Sequence, residues 1–162
     1  MKILAIDPGL ARTGWAVLEK GGDGAGTGDI SMKDCGCIIT KPSMPLQERL
    51  LVLYSSLESI INKDMPDTVC LEKQYLYQRA QSVLSTSEAR GVIILLAAKK
   101  GVGVQEYNPK SIKLAITGYG GADKNQVREM VKRLLNIKTL PPLKDVSDAI
   151  AVGLCHLNSI RL

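Results

Sequence analysis

Three blocks of apolar residues, separated by turn-forming residues, occupy the opening part of the chain. Residues 2–6 are largely apolar and predict a central strand, and a turn at Pro8-Gly9 precedes a second strand at 13–18. A third strand is predicted at 35–40, after a stretch from Gly21 to Gly28 whose five glycines indicate a flexible hairpin tip. Consecutive strands joined in this way are expected to form an antiparallel meander.

Further along the chain the apolar positions recur every three or four residues, which is the spacing of helices with one buried face. This spacing predicts long helices at 46–61, 82–100, 122–135 and 145–160. Two short apolar blocks predict strands at 68–71 and 102–107, and Pro109 opens a short helix that carries Lys113. Strands first, then strands alternating with helices, indicate an α/β fold with a mixed five-stranded sheet flanked by helices.

The predicted helix at 82–100 contains a continuous apolar run at 92–98. One buried face needs an apolar stripe, not a run that covers the helix all round. The pattern therefore predicts that this helix is the central helix of the fold, a dimer seam, or both.

Length and composition limit the class of protein. A chain of 162 residues, 45% hydrophobic and 23% charged, is long enough to bury a core, and we expect residues 1–162 to form one domain. The net charge of +5 and the sequence pI of about 9.0 suit a polyanionic partner and predict salt-sensitive binding. Net charge alone does not tell which face of the protein is positive.

The cysteines and the N-terminus predict the compartment. The four cysteines include no Cys-x-x-Cys pair, and His156 is the sole histidine, so free thiols are favoured over a structural zinc site. Free thiols favour a reducing compartment. The apolar run before Asp7 is too short for a signal peptide, and no segment approaches the roughly 20 apolar residues of a membrane span. We expect a soluble, cytoplasmic protein without a membrane partner.

Four acidic residues occupy positions that a metal-dependent nuclease requires. Asp7 and Glu72 each follow a predicted strand, and Asp145 and Asp148 are three residues apart at the start of a helix, on one face. Carboxylates that converge repel each other unless a hard divalent cation lies between them. The set favours two Mg²⁺ ions, or Mn²⁺ in their place, about 4 Å apart, which is the arrangement that cleaves phosphate esters.

Each acid also has a local explanation, which the residues leave open. Asp7 could be satisfied by an Asx-turn with the Pro8-Gly9 segment. Glu72 could pair with Lys73 or Lys2, and an acidic residue in the first turn of a helix is stabilised by the helix dipole. The metal-site prediction therefore depends on the four acids taken together.

Two groups of residues are candidates for contact with nucleic acid. Lys113 and Lys124 lie on either side of a Gly-rich segment at 117–121, which could follow a phosphate backbone or could be a solvated loop. Tyr75 and Arg79 come soon after Glu72, where they could stack on or separate bases. The alternative is that one tyrosine of this segment belongs to the core and the rest lies on the surface.

Together these motifs resemble the RuvC family of Holliday-junction resolvases, which have a ribonuclease-H-like fold. The resemblance runs through nearly the whole chain, and its specificity lies in the order and spacing of blocks that are individually weak. The blocks are Ile6-Asp7-Pro8-Gly9 with Thr13-Gly14, Glu72 with Ala89-Arg90-Gly91-Val92, Tyr107, Lys124-x-Gln126-Val127 with Met130-Val131, and Asp145-x-x-Asp148-Ala149.

The resemblance implies a Mg²⁺- or Mn²⁺-dependent homodimer that binds a four-way DNA junction and nicks two strands symmetrically. The four acids would be the metal ligands and catalytic acids, while Lys113 and Lys124 would contact DNA phosphate. Tyr75 stands where the family commonly has a phenylalanine that stacks at the junction. The helix through Arg90-Gly91 would form the dimer interface. A branch-migration motor complex is a further candidate partner that the resemblance suggests.

The chain departs from the family pattern in two places. Ser85-Thr86-Ser87-Glu88 stands where many members have a Leu-Gly-Gln type of sequence, and the loop at 21–29 is longer than usual.

Three other functions are compatible with parts of the pattern. A nuclease of the same fold could act on other branched DNA or on structured RNA, although the Lys124 block favours the resolvase. A phosphotransferase of the actin–hexokinase type shares a similar first turn at Asp7, but it needs a second such domain. A junction-binding module without cleavage would have no use for four costly carboxylates.

Overall fold

The computed structural model describes residues 1–21, 29–73 and 80–160, and the fold formed by these residues confirms the mixed five-stranded sheet flanked by helices. The predicted hairpin tip, at 22–28, lies outside the described residues. The strands and helices of the described chain follow in this order: β1 (Lys2–Asp7), β2 (Arg12–Lys20), β3 (Ile30–Ile39), α1 (Leu46–Asp64), β4 (Thr68–Glu72), α2 (Ala80–Lys99), β5 (Gly103–Tyr107), α3 (Pro109–Thr117), α4 (Lys124–Leu134) and α5 (Lys144–Ser159).

The sheet has the strand order β3-β2-β1-β4-β5. β1, β2 and β3 pair antiparallel, as the meander prediction requires, whereas β1, β4 and β5 run parallel. β1 is therefore the central strand, and it pairs with β4 in a register that sets Ile6 beside Leu71. Because β1 and β4 are parallel neighbours, their carboxyl ends meet at the same edge of the sheet.

The two faces of the sheet are covered by different helices, and the alternation along β1 assigns its side chains to them. Ile3 and Ala5 pack with α3, α4 and α5, on what we call the α5 face. Leu4 and Ile6 pack with α1 and α2, on the α1 face. α5 is buried along most of its length, and it approaches the sheet closely because a Cβ at Gly153 would come within 2.6 Å of the Leu18 side chain.

The element ends differ from the sequence prediction by a few residues. The largest difference is in β3, which begins at Ile30, five residues before the predicted start. Ser31 and Lys33 are polar and gave this segment no strand pattern. However, β3 is an edge strand, where polar side chains are tolerated, and Lys33 forms an ion pair with Glu19 at 2.8 Å. α1 runs on to Asp64, beyond the predicted end at residue 61, and stops where Met65 adopts a left-handed conformation, with φ of 46°.

α4 begins two residues later than predicted. Asp123 caps it by accepting hydrogen bonds from the backbone N–H groups of Asn125 and Gln126, while the Gln126 side chain accepts from the Asp123 N–H. This capping box fixes Lys124 as the first helical residue.

All four cysteines are free, with Cys70 and Cys155 buried and Cys35 and Cys37 half-buried. Of the helices described, none has the length and apolar character that crossing a membrane demands.

Candidate active site

Asp7 and Glu72 end neighbouring parallel strands and lie on the same face of the sheet. The register places Ile6 beside Leu71 on the α1 face, so the next residue of each strand projects to the α5 face. Both acids are therefore side by side beneath α5, at the edge where β1 and β4 end. The sequence predicts each acid directly after a strand. In the structure each strand is one residue longer, so that each acid is its last residue.

Asp145 and Asp148 come from the first turns of α5, and Gly14 allows this end of the helix to approach the sheet. Gly14 lies opposite Asp7 in the β1–β2 ladder. A Cβ at Gly14 would overlap the backbone carbonyl of Asp145 and would come within 2.8 Å of the Val146 nitrogen. The missing side chain thus lets the start of α5 lie directly against β2, beside the end of β1.

The electrostatic state of Asp7 reflects the convergence of the four acids. Burial, followed by the nearby charges of Glu72, Asp148 and Asp145, raises the pKa of the Asp7 carboxyl to about 8. Lys124 opposes this rise in the Asp7 pKa. None of the described residues donates a hydrogen bond to the Asp7 carboxylate, so the Asx-turn explanation does not account for it.

Glu72 has a similar environment. Burial and, after it, the charge of Asp148 raise the pKa of Glu72, while Lys124 and Lys113 lower it. The suggested ion pair with Lys2 is not formed, because Lys2 Nζ donates instead to the Asp64 carbonyl at 3.0 Å. Glu72 therefore belongs electrostatically to the group of acids and not to a local lysine pair.

Lys124 is the cation of this group. Its Nζ donates to Asp148 Oδ2 at 2.8 Å, and the carboxylates of Asp148, Asp7 and Glu72 raise the pKa of Lys124. Lys113 joins it from α3. Glu72, Asp148 and the two lysines line a small cleft of about 90 Å³ between α3, α4 and α5. The structure thus brings together the predicted acids and both predicted phosphate-contacting lysines.

The four carboxylates are chemically suited to bind a hard divalent cation, although in this structure they do not surround an ion site. Among residues 1–21, 29–73 and 80–160, no three carboxylates, imidazoles or thiols are close enough together to enclose an ion. Four carboxylates whose charges act on each other, one with its pKa raised to about 8, supply the oxygen ligands that Mg²⁺ prefers. Lys124 occupies Oδ2 of Asp148, so a bond from that oxygen to an ion would replace its bond with Lys124.

A link that the sequence analysis missed holds the start of α5. Arg128 donates from Nη1 to Ser147 Oγ at 2.7 Å, and Ser147 Oγ donates to the Lys144 carbonyl at 2.7 Å. No side chain caps the N-terminus of α5, so this pair supports the turn that carries Asp145. The only sequence signal was the position of Arg128, four residues after Lys124 on the same side of α4.

Two of the predicted nucleic-acid contacts cannot be placed. Tyr75 and Arg79 lie outside the described residues. The Gly-rich segment that follows α3 is described: it turns at Gly118, with φ of 74°, and leaves Tyr119 exposed.

Metal-free protein should lose stability as the pH rises, and Asp7→Asn should remove much of that loss. The folded state holds the Asp7 proton more tightly than the unfolded state, since folding raises its pKa from 3.8 to about 8. The resulting stability is fully present below about pH 4 and is lost as the pH rises through about 8. In EDTA, we expect the free energy of unfolding of the variant, relative to that of the unaltered chain, to increase by about 3.5 kcal/mol between about pH 5 and pH 8.

Urea unfolding at the two pH values measures this difference. Glu48→Gln, which removes an exposed carboxylate from the first turn of α1, is the control and should show the same pH dependence as the unaltered chain. If the free energy of unfolding of Asp7→Asn changes between the two pH values as much as that of the unaltered chain, folding does not raise the pKa of Asp7.

The sequence is similar to proteins of one family. The family profile described as "Crossover junction endodeoxyribonuclease RuvC" matches residues 3–156. A protein of that name from Ruminiclostridium cellulolyticum is 42% identical over 162 residues, which cover 100% of this chain and 95% of the relative. Another, from Chloroflexus aggregans, is 42% identical over 156 residues, which cover 96% of this chain and 92% of the relative.

The fold is similar to those of solved structures. The RuvC structure from Thermus thermophilus superposes with a TM-score of 0.89 at 28% identity, over 98% of this chain and 94% of the other. The same protein in complex with a Holliday junction substrate gives a TM-score of 0.88 at 29% identity, over 96% and 92% of the two chains. The yeast mitochondrial Holliday junction resolvase Ydc2, at 11% identity and a TM-score of 0.70, shares the fold over 96% of this chain and 77% of its own.

Proposed function

This chain belongs to the RuvC family of crossover junction endodeoxyribonucleases, and we propose that it resolves four-way DNA junctions by paired symmetric nicks. The members it resembles carry that name, and one solved relative is bound to a Holliday junction substrate. The single observation that carries the proposal is the convergence of four acids from three separate elements, two at the adjacent ends of β1 and β4 and two at the start of α5, which Gly14 allows to lie against the sheet. The activity is that of a divalent-metal-dependent nuclease, and one domain, spanning 1–162, would be the unit that performs it.

Asp7, Glu72, Asp145 and Asp148 would be the metal ligands and catalytic acids of this reaction. Membership of the family implies dependence on a divalent metal, and we propose two Mg²⁺ ions, with Mn²⁺ as a substitute. Bound there, the ions would supply the activation of water and the stabilisation of the leaving oxygen. The chain itself orients the set through the ends of β1 and β4 and through the supported first turn of α5.

Lys113 and Lys124 would hold the phosphate backbone beside these acids. Both line the cleft with Glu72 and Asp148, and both charges lower the pKa of Glu72. When DNA enters, the Lys124 ammonium could leave Asp148 for a phosphate oxygen, which frees that carboxylate for an ion. For Tyr75 and Arg79 the proposal of contacts at the junction comes from their position after Glu72 in the sequence.

We propose that α2 pairs with its counterpart in a homodimer. The side of α2 that faces away from the sheet carries leucines that are about 60% exposed, Leu84 at 63% and Leu95 at 58%, and Gly91, around which a Cβ would meet nothing within 4 Å. Arg90 is turned inward, where it pairs with Glu106 of β5. The exposed stripe follows the helical repeat and consists of Leu84, Ser87, Gly91, Leu95 and Ala98.

Leu95→Glu should weaken dimer formation, because it sets a charge in the middle of the exposed stripe. We expect the dimer dissociation constant to rise at least about 30-fold, equivalent to about 2 kcal/mol, when measured by analytical ultracentrifugation. Leu51→Glu is the matched control, since Leu51 of α1 is 63% exposed and lies outside the stripe. A variant Leu95→Glu that dimerises as well as Leu51→Glu would place the interface elsewhere.

A branch-migration motor is a further proposed partner, which the family resemblance implies. The free state of all four cysteines and a DNA substrate support a cytoplasmic location.

The function is tested with a synthetic four-way junction and a matched linear duplex, each in Mg²⁺, in Ca²⁺ or without metal. We expect symmetric nicks in the junction alone, and in Mg²⁺ alone. Tight junction binding without nicks in any metal would favour a binding-only module. Neither binding nor cutting of the junction would contradict the proposal and direct the same assay to structured RNA.

A further inference from the structure

The net positive charge of this protein is concentrated in one segment. Residues 124–144 contain six lysines and arginines and one acidic residue. Since the whole chain has 21 basic and 16 acidic residues, the remainder has fifteen of each and is neutral. The excess of +5 therefore belongs to α4, to the connection that follows it and to Lys144, the first residue of α5, which is an uneven distribution for a solvated surface.

Within this segment, a row of cations leads away from the four acids along α4. Lys124, Arg128 and Lys132 are spaced by four residues and share one side of the helix. At 1.5 Å per residue, Lys132 lies about 12 Å from Lys124 along the axis. All three cations already have partners near the acids or on the helix, since Lys124 binds Asp148 at 2.8 Å, Arg128 binds Ser147 at 2.7 Å and Lys132 binds Glu129 at 2.6 Å.

At the far end of α4 the chain forms a groove with cations that have no such partner. Asn136, with φ of 51°, reverses the chain, and the Ile137 N–H donates to the Lys132 carbonyl at 3.0 Å. This turn brings Lys138 back beside the helix. An open groove of about 550 Å³ results, lined by Glu129, Lys132, Arg133, Asn136, Ile137 and Lys138.

Arg133 and Lys138 are the cations of this groove that remain available. Both are exposed, and neither side chain makes a hydrogen bond or ion pair with any described residue. Arg133 also lies in the last turn of α4, where a cation stabilises the helix dipole. Lys138 is beyond the helix and gains nothing from the dipole, so helix stability does not explain the pair.

We propose that this groove, formed around Lys132, Arg133 and Lys138, binds the phosphate backbone of the duplex arm next to the cut. The proposal rests on the proposed function, because it takes the four acids as the position of the scissile phosphate. About 12 Å along α4 corresponds to about three or four base pairs of the arm, at 3.4 Å per nucleotide. The contact is independent of base sequence and adds affinity to the junction without entering the chemistry.

The test compares two double variants that remove the same charge. Arg133→Gln with Lys138→Gln removes one cation from the last turn of a helix and one from a loop. Lys63→Gln with Lys41→Gln does the same at the end of α1 and in the loop before it. For the first pair, we expect junction affinity to fall about 10-fold at 0.15 M salt and the log–log salt slope to decrease by about 1.8, because each lost phosphate contact contributes about 0.9.

The second pair should leave the salt slope within about 0.4 of the unaltered value, and cutting of fully bound junction should proceed at an unchanged rate in both. A junction with uncharged methylphosphonate linkages about three to six base pairs from the cut locates the contact. These linkages should weaken binding of the unaltered chain and not of Arg133→Gln with Lys138→Gln.

The groove proposal is overturned if the unaltered chain binds and cuts the junction while the two double variants have equal salt slopes. It is also overturned if the neutral linkages weaken the unaltered chain and Arg133→Gln with Lys138→Gln equally. Failure of the unaltered chain to bind or cut any junction would instead contradict the proposed function, so the two failures are distinguishable.

Discussion

Replacing Asp7 by asparagine is expected to slow junction cutting at least about 1,000-fold, equivalent to about 4 kcal/mol, while junction affinity stays within about threefold. Asparagine keeps the shape of the side chain but removes the carboxylate whose pKa is raised to about 8 by burial and, after it, by the charges of the neighbouring acids. An amide is a poorer ligand for Mg²⁺ than a carboxylate, so ion binding should weaken as well. Affinity should persist because the proposed DNA contacts come from lysines and not from Asp7.

Single-turnover cutting in Mg²⁺ and junction binding in Ca²⁺ measure the two effects separately. Glu48→Gln is the control for loss of a carboxylate, and it should cut at the unaltered rate because Glu48 lies at the start of α1, on the other side of the sheet. Cutting by Asp7→Asn at the unaltered rate would show that the metal site is wrongly assigned. A parallel loss of cutting and binding would instead indicate damage to the DNA-binding surface.

Gly14→Ala is expected to reduce the free energy of unfolding by about 3 kcal/mol or more and to remove cutting as well. The new methyl group would overlap the backbone of Asp145, which cannot move aside as a flexible side chain can. Either the start of α5 is pushed off β2 or the strand is displaced. Both movements separate Asp145 from Asp7, whose position is opposite Gly14 in the ladder.

Gly103→Ala is the matched control for this change. Gly103 also lies in a strand, but a Cβ there would have no atom within 4 Å, so its effect on stability should stay within about 0.5 kcal/mol. Thermal and urea unfolding measure the stabilities, and single-turnover assays measure cutting. A stable Gly14→Ala protein that cuts normally would mean that α5 does not need this close approach.

The sequence pattern was sufficient for most of the fold because the buried elements have clear periodicity. The spacing of Leu53, Leu57 and Ile61 identified α1, and these residues are buried against the sheet. The pattern was weakest in β3, whose start at Ile30 was missed. An edge strand with exposed Ser31 and Lys33 is stabilised by its pairing with β2, and pairing is not visible in the strand's own residues.

The acids of the site could be recognised from the sequence because each stands beside an apolar block. The contacts that position these acids could not be predicted from the sequence. The contact of Gly14 with Asp145 and the bond from Arg128 to Ser147 join positions far apart in the chain, and neither leaves a local pattern. The same holds for the groove with Lys138: net charge predicted a basic protein, but the position of the charge depends on the turn at Asn136.

The order of the acids along the chain has a consequence for the time at which the protein becomes active. Asp7 and Glu72 end strands in the first half of the sequence, whereas Asp148 is part of α5, which covers them. A chain that is still being synthesised, and whose residues from Asp145 onward have not yet left the ribosome, presents two acids without the other two. If the four acids form the proposed metal site, such a nascent chain should not cut DNA, and the site is completed only when α5 has emerged and folded against the sheet.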